Sequence, residues 1–382
     1  MKILLVTNIF PPAIGGPATF GARLADALSA KGYRVTVFCA TPASGHADGG
    51  YPFRVVRAGL RGNRLRREME LRARLLKSMV SSDMVYCMGL GHQTHWAARA
   101  TRRGYTLRVG GDSVWELARN TGATSLELEE FYRQTDDPGR KTVEIEERKR
   151  LAQVRDARAV IYVSEYLRSL AGAWTRHRPV SEHIVPNGID ITDAGAIQRR
   201  RSGEALKLVF VGRQTNWKGV DSVLLALAGT PGATLTVLGS GPVWPANVDL
   251  CRRLGLADRV TFRRSVDSRE VLSVMFNHHV LVLPSLYEGL SNTLLEAGTA
   301  GLACIVSNRG GNPEVVEHDT NGLLIDPFDV DDLRTAIARL RDDEDTRSRL
   351  AESHRRRVQT DFNLAGSVEK TARILQDVAA AG

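Results

Sequence analysis

Short apolar, β-branched runs recur along this chain at intervals that leave room for a helix between them, and they do so in two successive series. The first series reads KILLVTN (2–8), RVTVFCA (34–40), FRVVRA (53–58), MVYCMG (84–89), YTLRVGG (105–111), AVIYVS (159–164) and HIVPNG (183–188). The second reads LKLVFVGR (206–213), TLTVLGS (234–240), RVTFRR (259–264), VLVLPS (280–285), ACIVSN (303–308) and GLLIDP (322–327). Near-continuous apolar strands alternating with helical patterns imply parallel sheets covered on both faces. Two series predict an α/β protein of two doubly wound, Rossmann-like domains, the first over residues 1–190 and the second over 191–360. The seam falls near Asn187–Ala205, where polar and small residues break the pattern after the turn-forming Pro186-Asn187-Gly188. At 382 residues the chain is long enough for two such cores. Ligands of open parallel sheets sit beyond the carboxyl ends of the strands, so two facing domains predict a site in the central cleft between them.

The net charge of +9 asks for a partner or a bland explanation. Basic residues crowd RAGLRGNRLRREMELRARLLKS, Arg57 to Ser78, against only Glu68 and Glu70. This run reads either as a solvated arginine-rich helix or as a surface drawn to an anionic membrane, where each basic side chain contributes about 1 kcal/mol. No zinc-finger, RRM or helix-turn-helix pattern occurs, so nucleic acid is not an expected partner. Cys39, Cys87, Cys251 and Cys304 lack C-x-x-C spacing, and three of these four lie in or at the end of apolar runs. Reduced, buried thiols are expected rather than a disulfide frame or a zinc site. The run Ile3–Val6 is too short for the apolar core of a signal peptide, and no stretch approaches the roughly 20 apolar residues that span a bilayer. The expectation is a cytoplasmic protein, at most peripheral on the inner face of the membrane.

Three loops carry the candidate chemistry. In TNIFPPAIGGPATFGARLADAL, Gly15 and Gly16 join a strand to an amphipathic helix. Glycines there let backbone approach a ligand, and the helix N-terminus offers unpaired N–H groups to an anion; a plain tight turn is the alternative. The loop is not G-x-G-x-x-G, and no acidic residue ends the second strand, which argues against ordinary dinucleotide binding. In VFVGRQTNWKGVDS, Arg213 and Lys218 read as a diphosphate clamp or as cations of a solvated loop. In LPSLYEGLSNTLLEAGTAG, Gly289, Leu290, Ser291 and Asn292 are expected to form the first helical turn, with their amides aimed at an anion. Glu296, about one turn on, can address a ribose diol, and Glu288, ahead of the helix, can address a sugar. A carboxylate near phosphates is tolerated where it meets hydroxyl donors or a developing cation, and a sugar with an oxocarbenium-like transition state supplies both. His92 and His95 share a helix face without a third metal ligand, and FDVDDL reads as a helix cap. His278 and His279 precede a buried strand and read as structural.

EGLSNTLLE resembles the E-x7-E motif of the retaining glycosyltransferases of family 4, which have the GT-B fold. GRQTNWKG is similar to that family's Arg-x4-Lys clamp, and PPAIGG, PNGID, LGSGP and SNRGGNPEVVEHDTNGLLIDPFD extend the likeness in order over essentially the whole chain. The resemblance implies a UDP- or GDP-linked sugar donor on the second domain, an acceptor mainly on the first, and a last helix, 361–382, that crosses back to the first. Carried over, Arg213 and Lys218 hold the diphosphate and stabilise its leaving charge. Glu288 contacts the transferred sugar, Gly289, Leu290, Ser291 and Asn292 the phosphates, and Glu296 the ribose. Gly16 lets backbone approach the diphosphate, and the base meets backbone near Arg264. The chain departs from the pattern where YTLRV ends. Many members carry a histidine there, and this chain has Gly110-Gly111-Asp112, so Asp112, with His92 as a second candidate, is expected to position sugar or acceptor. The implied activity is a metal-independent hexosyltransferase that needs no cofactor and glycosylates a glycan end, a lipid-linked glycan or a small polar metabolite. Two rivals stand beside it. A nucleotide-sugar 2-epimerase of the same fold would need acid/base groups around the sugar, against which E-x7-E speaks, and the other rival is a non-catalytic, basic surface-binding protein.

Overall fold

The computed structural model describes residues 1–13, 15–40, 48–58, 63–134, 136–174, 181–190, 204–264 and 268–381. Most of the seam segment (191–203) and residues 59–62 of the basic run lie outside the described residues. Every apolar run overlaps a strand: β1 (Lys2–Thr7), β2 (Arg34–Cys39), β3 (Arg54–Arg57), β4 (Met84–Cys87), β5 (Thr106–Val109), β6 (Ala159–Tyr162) and β7 (Glu182–Ile184) in the first series. The second series gives β8 (Leu206–Val211), β9 (Ala233–Leu238), β10 (Val260–Arg263), β11 (Val280–Leu283), β12 (Ala303–Ser307) and β13 (Leu323–Ile325). β4, β6 and β11 are buried at every position, the burial that their unbroken apolar runs demand, and β5 is buried as well although it carries Arg108, whose guanidinium donates to the Val185 carbonyl and to Asn187 Oδ1.

The strands form one parallel sheet in the order β3-β2-β1-β4-β5-β6-β7 and another in the order β10-β9-β8-β11-β12-β13. Each sheet grows outward from its first strand, then resumes on that strand's other side. The β1/β4 and β8/β11 pairs therefore flank the switch points, where the loops leaving neighbouring strands diverge and open a crevice.

The described chain divides into two compact units, Met1–Gly188 with Leu364–Gly382, and Ile189–Asn363. In the first unit the last helix, Leu364–Ala380, buries Leu364, Val368, Ala372 and Leu375 in one core with Phe20, Leu24 and Leu28 of the helix Gly16–Ala30. The Ser367 hydroxyl also donates to the Pro186 carbonyl, at 2.8 Å. The four cysteines are buried and unpaired with one another, and burial pushes the Cys87 thiol up to about 11. Arg57, counted with the basic run, is not a surface charge. It is buried, pairs with Asp48 at 2.7 Å and donates to the Pro11 carbonyl at 2.6 Å, bracing the loop that leads to Gly15. Among the described residues, no helix is long and apolar enough to cross a membrane.

Two buried histidines tie the second unit together. His354, on the helix Glu344–Asp361, donates from Nε2 to the Leu294 carbonyl at 3.0 Å, where Gly298 lets the helix Asn292–Ala300 come close. His279 Nδ1 accepts the Lys207 amide at 3.0 Å, a role only the neutral ring can fill. Burial lowers both from 6.5 to about 4, with the Arg347 charge adding to the effect at His279. Below pH 6.5 the unfolded chain takes up these protons first, so their contribution to stability is complete above pH 6.5 and disappears as pH falls towards 4. The urea midpoint should therefore drop between pH 7 and 4.5, and His354→Gln should flatten that slope. A wild-type midpoint constant over this range would contradict the neutral, buried state of these rings.

Candidate functional site

The switch point of the second sheet brings Lys218 and Glu288 together. Beyond β8 the chain runs through Gly212 to Arg213 and Lys218 and lands on the end of β11. Gly219 has φ 72°, and a Cβ there would lie 2.7 Å from the Pro284 carbonyl oxygen, so no side chain fits. The Leu286 amide donates to the Trp217 carbonyl at 2.7 Å. This contact delivers Lys218 Nζ to within 2.6 Å of Glu288 Oε1, and the Ser285 hydroxyl donates to the same oxygen at 2.9 Å. The lysine and glutamate side chains are 20% and 11% exposed, so their charges are only partly screened by water. Arg213 is exposed and pairs with no carboxylate among the described residues.

The helix after β11 starts later than expected. It covers Asn292–Ala300, with Ser291 as its N-cap and the Ser291 hydroxyl oxygen accepting the Leu294 amide at 3.3 Å. Serine suits that place because its side chain satisfies an amide that the helix leaves unpaired. Gly289 and Leu290 belong instead to the preceding loop, which the Gly310-Gly311 segment clamps. The Gly311 amide donates to the Glu288 carbonyl at 2.8 Å, and Cβ atoms on Gly310 and Gly311 would fall 2.4 Å and 2.2 Å from the carbonyl oxygens of Glu288 and Gly289. Glu296 lies half-buried within the helix.

Sequence reasoning passed over the residues that hold the Arg213 loop. Gln214, fully buried, donates to the Gly239 carbonyl at 2.8 Å and accepts from the Asn247 amide at 2.8 Å. A Cβ on Gly239 would meet the Gly212 oxygen at 2.1 Å, which explains the glycine in LGSG. Arg264 is exposed just past β10.

In the first unit the corresponding loops leave β1 and β4. Gly15, at φ 151°, is the N-cap of the helix that begins at Gly16, and a Cβ on it would press on Ile9 Cδ1 at 3.1 Å. His92 is the second residue of the helix Gly91–Thr101, half-buried, its pKa lowered by burial and then by the charges of Lys149 and Arg72. His95 Nε2 contacts Asp156 at 2.8 Å. Asp112 is engaged within its own unit. Its carboxylate is fully buried and caps the helix Ser113–Asn120, accepting the amides of Val114 (3.1 Å) and Trp115 (2.9 Å). Tyr132 Oη donates to Oδ2 at 2.7 Å and Arg150 Nη1 to Oδ1 at 2.8 Å, so both oxygens are engaged inside the unit. Among the described residues no cluster of three or more His, Cys, Asp or Glu has the makings of a metal site.

Two wound sheets of seven and six parallel strands, each covered by helices, define a two-domain Rossmann-like α/β fold of the GT-B kind. The chain matches the family model Glycosyltransferase Family 4 over residues 14–193 and the model Glycosyl transferases group 1 over residues 196–357. It belongs to this glycosyltransferase family. It is 27% identical over 378 residues, 90% of each chain, to a GDP-mannose-dependent alpha-(1-6)-phosphatidylinositol monomannoside mannosyltransferase of Mycobacterium tuberculosis. A glycogen synthase of the same organism is 33% identical over 196 residues, 50% of this chain, so the match spans about half that protein's length (47%). The crystal structure of Anabaena HepE with UDP and glucose shares the fold, with a TM-score of 0.79 over 99% of this chain and 100% of that one at 18% identity.

The two clamp cations should differ in their effect on stability. Arg213→Ala should leave Tm unchanged, because an exposed cation without a partner contributes little to folding. Lys218→Ala strands the Glu288 carboxylate and should cost about 1–3 kcal/mol in urea unfolding. Wild-type stability in Lys218→Ala would contradict the pairing.

Proposed function

We propose that this protein moves a hexosyl group from a nucleotide-diphosphate sugar, UDP- or GDP-linked, to an acceptor hydroxyl, with retention of the anomeric configuration and without a metal ion. The observation that carries the reading is the Lys218–Glu288 pair at the β8/β11 switch point, with Lys218 on the loop that also carries Arg213 and Glu288 just ahead of the helix Asn292–Ala300. A diphosphate arriving there competes with Glu288 for Lys218, and Arg213 offers it a bidentate fork. As the glycosidic bond breaks, negative charge collects on the leaving phosphate, where Lys218, Arg213 and the helix dipole stabilise it. Glu288, set ahead of that helix, accepts from the transferred sugar and faces its developing positive charge. Glu296 takes the ribose, the loop amides of Gly289 to Asn292 the phosphates, and backbone near Arg264 the base.

Asp112 is enclosed as a helix cap, and the motif residues among the described residues supply no in-line base for the acceptor. The reading is therefore front-side displacement. The acceptor oxygen bonds to the anomeric carbon as the bond to the phosphate oxygen breaks, and the acceptor's proton passes to that phosphate oxygen. An α-linked donor then gives an α-linked product. The GDP-mannose named for the mycobacterial mannosyltransferase and the UDP-glucose bound in a crystal structure of Anabaena HepE support a nucleotide-diphosphate sugar. For the acceptor, the Gly15-Gly16 loop and His92 of the first unit are the expected contacts, and a glycan end, a lipid-linked glycan or a small polar metabolite fits them.

Incubation with α-linked UDP- and GDP-sugars in EDTA, with the anomeric coupling of the product read by NMR, tests this reading. The account expects an α product, turnover without added metal, and a fall of roughly 10²–10³-fold in Arg213→Ala and Lys218→Ala at saturating donor. A β product, strict dependence on Mn²⁺ or Mg²⁺, or near-wild-type rates in both variants would overturn it. Release of an epimeric sugar nucleotide without acceptor would favour the 2-epimerase.

A peripheral location on an anionic membrane, at the inner face in a cytoplasmic enzyme, is supported by the helix Arg64–Val80. Leu65 and Met69, one turn apart, are 70% and 63% exposed, and Val80 is 57% exposed. Arg66, Arg67 and Lys77 are exposed beside them. An apolar stripe edged by cations suits an interface between head groups and acyl chains. Sedimentation with vesicles should show binding that rises with anionic lipid and falls with salt; binding indifferent to both would remove this reading.

A further inference from the structure

The Glu288 carboxylate is held from behind by a row of buried side chains. Ser285 lies just past β11, and its hydroxyl donates to Glu288 Oε1 at 2.9 Å, on the oxygen that Lys218 Nζ also reaches at 2.6 Å. The carbonyl of Ser285 accepts the Ser307 hydroxyl, at the end of β12, at 2.5 Å. Ser307 Oγ in turn accepts the side-chain amide of Asn312 at 3.0 Å. Ser285, Ser307 and Asn312 are all completely buried. A buried polar row is costly unless its members are paired, and here Asn312 and Ser307 hold the Ser285 backbone while the Ser285 hydroxyl, separately, holds Glu288 Oε1. The other end is left open, for Asn312 Oδ1 has no hydrogen-bond partner among the described residues. Its amide is committed to Ser307 at the expense of its own oxygen.

Two donors converge on Oε1, whereas Oε2 meets none among the described residues. They are not equivalent, because a diphosphate at the switch point draws Lys218 away while Ser285 is tied into the core and stays. We propose that Ser285, Ser307 and Asn312 are positioning residues that fix Oε1 of Glu288 so that Oε2 faces the ligand when Lys218 turns to the phosphates. This rests on the reading of Glu288 as the group that addresses the transferred sugar. None of the three touches the reacting atoms. Ser285 acts through Glu288, and Ser307 and Asn312 act through Ser285.

The test uses the full chain with the sugar nucleotide that the wild type turns over. Ser285→Ala should lower kcat roughly ten- to a hundredfold while KM for the donor, and the calorimetric Kd for the nucleoside diphosphate, stay unchanged. Ser285→Thr, which keeps the hydroxyl, should recover most of that loss, and Ser307→Ala should fall in the same direction by less. In a Glu288→Gln background, Ser285→Ala should add little further loss, because the two act as one unit. A structural role alone would lower Tm, nucleotide binding and kcat together and would stay additive with Glu288→Gln, and that pattern would overturn the proposal. Should Ser285→Ala fail to fold, Ser307→Ala in the same cycle decides the question. If the wild type turns over no UDP-, GDP-, ADP- or dTDP-sugar, the reading of Glu288 falls and this proposal with it. An active wild type with an indifferent Ser285→Ala removes the positioning row alone.

Discussion

A lysine and a glutamate held 2.6 Å apart at the ends of two neighbouring parallel strands are the interaction around which the second unit is organised. Such a pair is a weak source of stability, because desolvating both charges offsets most of their attraction. Its value lies in being exchangeable. The cation is already gathered where a diphosphate can take it over, and the carboxylate it releases is already fixed at one oxygen. The neighbourhood is arranged for that exchange. Sheet order sets β8 beside β11, Gly219 lets the lysine loop rest on Pro284, and Gly310 and Gly311 press the glutamate loop from the other side. A side chain at any of these glycines would move one member of the pair.

The strands were legible because parallel strands covered on both faces must be apolar throughout, and β11 and β12 show it residue by residue. The candidate loops were legible for a related reason, since they follow the strands and gather charges that buried strands seldom carry; Arg108 in β5 is an exception, held by Tyr86, the Val185 carbonyl and Asn187. What the sequence hid was partnership. Lys218 and Glu288 stand 70 residues apart, and no local pattern tells that a clamp cation and a sugar-facing carboxylate are bonded to each other. Buried amides such as Gln214 and Asn247 have no periodicity that would single them out.

The misplaced readings share one cause, a local or tertiary demand that outranks pattern. Ser291 moved the helix start to Asn292 because a hydroxyl cap outweighs the flexible glycine ahead of it. Asp112 follows a strand end as a ligand-binding residue would, yet its oxygens serve the helix they begin, Tyr132 and Arg150. Arg57 looked like surface charge in a basic run, and Asp48 and the Pro11 carbonyl draw it inside. In each case a short polar contact decides what a residue does.

Isothermal titration of UDP and GDP into the wild type and Glu288→Gln tests most directly whether Lys218 is shared between carboxylate and diphosphate. Removing the competing charge frees the lysine and takes a like charge away from the phosphates. The account therefore predicts that the preferred nucleotide binds Glu288→Gln more tightly, by about tenfold or about 1.4 kcal/mol. Equal or weaker binding in Glu288→Gln would contradict the account.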